Sequence, residues 1–173
     1  MRYVPGRNPR KRAAFAAALV LLAGCGGSGS SDATPERVVR GTGYRFSAPV
    51  GWAIKRSPRA VQVSEGVTLV SVTRYPLVRA FRPELWQKVV PELDRAAAEV
   101  AQQQNGTVSK SRTMTVSGRQ ARSYDIDYEH EGQQLVERIT FVLRGKTEYY
   151  LLCRYDGGDT EACERLLATF TLG

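Results

Sequence analysis

Two hydrophobic periods alternate along the chain after residue 40. In residues 42–49, Tyr44, Phe46 and Ala48 alternate with polar neighbours, the two-residue period of a half-buried strand, and Pro49 stops the run. Val50-Gly51-Trp52 reads as a turn that delivers an aromatic side chain, and short strands are expected at 60–64 and 67–74. From Pro83, a residue suited to a first helical position, the period changes. Trp86, Val89, Val90, Leu93, Ala97 and Val100 fall at three- and four-residue spacing and predict a helix to about Gln104. Pro91 is expected to kink or split that helix, and Asn105-Gly106 to end it. Beyond it, strands are expected at 107–116, 119–129, 134–144 and 146–154, separated by Gly118, Gly132 and Gly145. Asp159 is placed to cap a closing helix through Ala168, followed by a last short strand at 169–172. Strands joined by hairpins, with helices packed off their faces, define an α+β class.

The N-terminus follows different rules. Arg2, Arg7, Arg10, Lys11 and Arg12 precede an apolar run of ten residues, 13–22, with no acidic residue before Cys25. Ten helical residues reach about 15 Å, half of a ~30 Å hydrocarbon core, so the run suits a signal peptide rather than a membrane span. Leu22-Ala23-Gly24-Cys25 then resembles the lipobox of bacterial lipoproteins. That resemblance implies cleavage before Cys25, acylation of its thiol and amine, and attachment to the extracytoplasmic face of the cell membrane through the lipid. Residues 26–35 (GGSGSSDATP) are small and polar, a flexible linker by composition. The expected organisation is a signal peptide at 1–24, lipidated cysteine and linker at 25–39, and a globular domain at 40–173.

Charge argues against one class of partner. The chain of 173 residues carries 25 basic and 17 acidic side chains, a net charge of +8, but five of the basic ones precede Cys25. The remaining 20 leave only +3, and a domain built to neutralise phosphate backbones would keep its excess after processing. Nucleic acid is therefore not an expected partner. Of three cysteines, Cys25 belongs to the lipobox, which leaves Cys153 and Cys163 as an even pair in an oxidising compartment. A disulfide is expected. The competing metal or redox reading lacks a third ligand at matching spacing and a C-x-x-C motif.

Candidate chemistry is sparse. His130 is the only histidine and stands between Glu129 and Glu131 at a hairpin end, the place of a solvated turn residue. Asp125, Asp127 and Glu129 share one strand face, a pattern that serves acid-base work or calcium binding. A turn at 131–134 would instead set Ile126 opposite Ile139, Tyr124 opposite Phe141, and Asp127 opposite Arg138 as a cross-strand charge pair. Trp52 and Trp86 are core residues or the lining of a ligand groove. Together with Asp125 and Asp127 they make up the candidate ligand or partner surface. No motif calls for a metal or a cofactor, and no P-loop or dinucleotide fingerprint follows a strand.

Segments GYRFSAPVGWAI (43–54), RQARSYDIDYEHEGQQLVERITFVLRGKTEYYLLCRYDG (119–157) and CERLLATFTL (163–172), with the long helix between the first two, resemble the PsbP/Mog1-like superfamily, in particular actinobacterial LpqN-type lipoproteins. The resemblance implies an α-β-α sandwich around a mainly antiparallel β-sheet. It also implies a role as an accessory or binding protein, and it supplies no active site to transfer. The function expected is a non-enzymatic binding module at the cell envelope, with an envelope protein or lipid as partner. The alternative is a small-molecule or lipid carrier with an apolar pocket between the sheet and the Trp86 helix. A hydrolase using Asp125 or Asp127 with His130 is a third, weaker class.

Overall fold

The computed structural model describes residues 34–173. The leader, the lipobox with Cys25 and the linker to Ala33 lie outside the described residues. The elements are β1 (Glu36–Gly41), β2 (Tyr44–Pro49), β3 (Ala53–Arg56), β4 (Ala60–Glu65), β5 (Thr68–Phe81), α1 (Trp86–Gln103), β6 (Thr107–Val116), β7 (Arg119–His130), β8 (Gln133–Tyr155), α2 (Glu161–Thr169) and β9 (Thr171–Leu172). A single 3₁₀ turn at Pro83–Leu85 leads into α1.

Every strand pairing is antiparallel. Six strands form one sheet in the order β3-β4-β5-β8-β7-β6, and β1-β2-β9 form a second, smaller one. On one face of the large sheet, α1 buries Trp86, Leu93, Ala97 and Ala101 against Tyr124, Ile126, Ile139 and Phe141. On the other, the small sheet and α2 bury Phe46, Leu166 and Phe170 against Val63, Val72, Leu151 and Cys153. The layers are thus helix, sheet, then helix with small sheet, an α-β-α sandwich of the α+β class. Period-two alternation in β2 and helical spacing in α1 and α2 sort side chains to these faces as expected.

β8 is where the two halves of the large sheet meet. Its first part, Gln133 to Val142, pairs with β7, and residues 147–154 pair with β5. Two strands were expected here, broken at Gly145, but the chain runs on as one strand of 23 residues. Gly145 adopts φ 54°, and the inward parity changes across it. Ile139 and Phe141 face α1, whereas Tyr149, Leu151 and Cys153, also odd-numbered, face α2. A left-handed residue that only glycine adopts freely reverses the alternation without ending the strand.

Three further expectations need correction. β1 starts at Glu36, inside the stretch assigned to linker, because Val39 is the one strongly apolar contact that ties it to the core. β3 occupies 53–56, where no strand was expected; all four residues are exposed at the sheet edge, so no hydrophobic period marks it. Pro91 lies inside one uninterrupted helix, on its exposed side, so its ring and the unpaired Gln87 carbonyl are accommodated by solvent.

Candidate functional site

The expected carboxylates all lie on β7, and the hairpin to β8 sets the partner of each. Glu131 and Gly132, with φ of 53° and 78°, make a two-residue turn that closes on the His130–Gln133 pair. The turn is centred one residue earlier than the expected one. Asp125 therefore stands opposite Arg138, Asp127 opposite Val136, and Ile126 opposite Glu137, which corrects the Asp127–Arg138 pairing. Asp125 accepts two hydrogen bonds from the Arg138 guanidinium, at 2.6 Å from Nε and 3.0 Å from Nη2. Both residues are buried, and beside them the Thr140 hydroxyl donates to Ser123 Oγ at 2.9 Å. The Arg138 guanidinium also lies 5.9 Å from the Tyr155 ring centre. Burial pushes the Asp125 carboxyl up, but the hydrogen bonds and charge of Arg138, helped by Arg112 and Lys110, hold it below the usual aspartate value. This is a satisfied cross-strand ion pair on the face opposite α1, with its oxygens engaged and out of solvent.

Asp127 is exposed and accepts a hydrogen bond from Ser109 Oγ at 2.9 Å. His130 sits exposed at the hairpin end. Trp86 is buried on the α1 face, edge-on to Phe81 with ring centres 6.4 Å apart. Trp52 is half-buried at the margin of the other face, and its carbonyl accepts a hydrogen bond from Arg37. Of the four residues proposed as one surface, Trp86 therefore lies on the α1 face and the other three on the opposite one, with Asp125 covered. The space between α1 and the sheet is occupied by Trp86, Leu93, Ala97 and Ala101, and most of its polar members are paired, although Gln104 Oε1 is buried without a partner. Tyr124 donates to Asp94 at 2.6 Å, and Arg122 bonds the same carboxylate at 3.0 Å. Buried Glu137, raised by burial, accepts from Gln104 Nε2 at 3.0 Å. Among the described residues, no group of three or more His, Cys, Asp or Glu is arranged to hold a metal ion.

A different constellation opens where the β1–β2 hairpin of the small sheet meets the β3–β4 hairpin of the large one. A cavity of about 210 Å³ lies there, walled by Arg40, Arg56, Arg59 and Arg74. Its floor is Tyr44, which is buried and donates its hydroxyl to the Val72 carbonyl at 2.9 Å. Burial raises the Tyr44 pKa, against the opposing charges of Arg56 and Arg74. Arg56 is held across the gap by a 2.6 Å hydrogen bond from Nη1 to the Arg40 carbonyl. The Ser57 hydroxyl accepts from the Ala60 amide at 3.0 Å and fixes the turn that carries Arg59. A second cavity of similar size shares Arg59 and Arg74 and adds Lys146. Among the described residues, no Asp or Glu lines either cavity and none of the four arginines is in a salt bridge. Arg74 Nε is buried without a hydrogen-bond partner.

Sequence reasoning missed this cluster because its members come from four strands and turns spread over 35 residues. The +3 of the domain is also too small to advertise a local concentration of charge. An excess of arginine over lysine was visible but had no position attached to it.

With layers, strand order and this opening in view, the class of protein is clear: an α+β sandwich of PsbP-like fold. Cyanobacterial PsbP (CyanoP) from Synechocystis sp. PCC 6803 superposes with a TM-score of 0.56 at 14% identity, over 88% of this chain and 99% of that one. A crystal structure from Bacteroides thetaiotaomicron gives 0.57 at 9% identity, over 80% of this chain and 48% of that one, so the chain spans about half the length of that protein. LpqN of Mycobacterium tuberculosis, described as involved in cell envelope biogenesis, aligns with a TM-score of 0.41 at 11% identity, over 80% of this chain and 90% of that one. No family model and no curated protein matches the sequence.

Proposed function

We propose that the chain is a lipoprotein of the cell envelope, held by lipid on Cys25, whose domain is a non-enzymatic binding module. The observation that carries the binding reading is the arginine-walled opening between the two hairpins, where charged side chains converge on open volume without carboxylate partners. Asp125, the best-placed carboxylate for acid-base work, is already engaged by Arg138, which weighs against the hydrolase reading. The filled interface under α1 weighs against an apolar carrier pocket beside Trp86. The anchor rests on the order of basic segment, apolar run and Leu22–Cys25 box.

Two measurements test the two halves of the reading. The native chain should fractionate with membranes, at a mass equal to cleavage before Cys25 plus acyl chains, and Cys25→Ala should be released. A soluble or unmodified native chain would remove the anchor. A photo-crosslinking residue at Thr42, on the rim of the opening, should form a discrete adduct on intact cells that the same residue at Glu84 does not. Equal labelling at both positions would remove the opening as the binding surface.

A further inference from the structure

We infer that the arginine-walled opening binds a phosphoryl group, that of a phosphate monoester or an exposed phosphomonoester headgroup. This rests on reading the opening as the binding surface and adds the chemistry of what it binds. Arg40, Arg56, Arg59 and Arg74 place four full positive charges around about 210 Å³, with Lys146 at the adjoining cavity and no acidic side chain lining either one. Like charges gathered this way repel, and partners that would relieve them elsewhere in the fold, as Asp125 relieves Arg138, are missing among the described residues. Arg74 goes further, because its buried Nε has no acceptor at all, and a buried donor of that kind is normally satisfied. The natural complement is a compact anion with more than one charge and several acceptor oxygens.

A phosphate monoester fits both requirements. It carries roughly −1.5 to −2 charges at neutral pH and three oxygens that guanidinium forks engage two at a time. A single carboxylate offers one charge to four guanidiniums. The elements are also fixed in advance: Arg56 by the Arg40 carbonyl, the Arg59 turn by Ser57, and the Tyr44 floor by Val72. The Tyr44 hydroxyl is committed to that carbonyl, so the arginines are the groups left to meet the ligand.

The test uses the full domain in buffers of constant ionic strength, with sodium phosphate and glycerol 3-phosphate as soluble probes and sodium chloride as the reference. Both phosphates should raise Tm saturably, and calorimetry should return a finite Kd. Arg59→Gln and Arg74→Gln should each weaken binding by about tenfold or more, while the control Arg79→Gln leaves it unchanged. Without ligand, Arg59→Gln should hold or raise Tm, because it relieves repulsion; a purely structural arginine would lower it. Competition by vesicles containing phosphatidic acid, but not by phosphatidylcholine alone, would identify a headgroup as the source. Competition only by the soluble ester would identify a solute. A Tm response no larger than that to chloride, or binding untouched by the cleft variants, overturns the inference. If the Thr42 adduct forms but phosphate neither binds nor blocks it, the binding module stands and the phosphoryl assignment falls. If neither adduct nor binding appears, both fall.

Discussion

At the scale of single residues, the clearest energetic statement concerns Asp125 and Arg138. The pair is buried and bidentate, so removing one partner leaves the other charge uncompensated in a poorly solvated place. Asp125→Asn is expected to cost about 3 kcal/mol or more at pH 7, measured by urea denaturation. Arg138 holds the folded-state pKa of Asp125 below its unfolded value, so its stabilisation is full above the ordinary aspartate value near 4. It is lost as pH falls through the lower folded-state value. The gap between wild type and Asp125→Asn should therefore narrow once pH drops below about 4, and a gap independent of pH would refute the ion-pair account. The same carboxylate was read from its spacing as a candidate acid-base group. Spacing along a strand says which face a residue shares, not whether that face meets a neighbour or solvent. Asp125 and Asp127 show the difference, one covered and one bare.

Helices and strands were legible to different degrees. α1 and α2 came from their stripes; the cap of α2 is Thr160 rather than the expected Asp159, whose side chain, one residue earlier, still accepts the amide of Glu161 at 2.9 Å. Strands with one buried face, β2 and β4, carry the alternation that announces them. β3 does not, and β5 runs on past its expected end through an irregular stretch between Pro76 and Phe81. Pro91 was read as a breaker because proline cannot donate to the fourth residue back, yet α1 continues through it. Exposure lets the helix absorb the loss but does not abolish it. Pro91→Ala is accordingly expected to raise stability by about 1–3 kcal/mol with no change in fold, read from thermal and urea unfolding. A neutral or destabilising result would mean that the proline fits the entry to α1 better than its missing hydrogen bond suggests.

Across the layers, one disulfide among the described residues joins strand to helix. The Cys153–Cys163 disulfide connects β8 to α2 across a Cα–Cα distance of 5.5 Å, with both cysteines buried. With a sequence separation of 10, it contributes about 3 kcal/mol in the chain-entropy treatment. The double variant Cys153→Ala/Cys163→Ala is expected to lose about that amount, lowering Tm by roughly 10 °C for a domain of this size. An unchanged Tm would show that packing of Leu166 and Phe170 holds α2 in place unaided. Both faces of the large sheet carry a buried core, and on the side away from α1 the arginine-walled opening lies where two hairpins meet at their ends.

What the sequence determined by itself was whatever local order encodes: the α+β class, the helices and the half-buried strands, while the leader and the anchor stand as its proposals. Periodicity reports which side of an element is buried, and that suffices for class. The cysteine pair was reached by arithmetic for the same reason, since few alternatives existed. Only the tertiary structure decided the rest. A turn centred one residue earlier than expected moved Arg138 from Asp127 to Asp125, because register depends on where the turn falls and each shift changes every partner. Exposure decided the fate of Pro91 and hid β3. The arginine-walled opening was decided at this level too: Arg40, Arg56, Arg59 and Arg74 share no motif or period, and become neighbours only when two hairpins from different sheets are brought end to end.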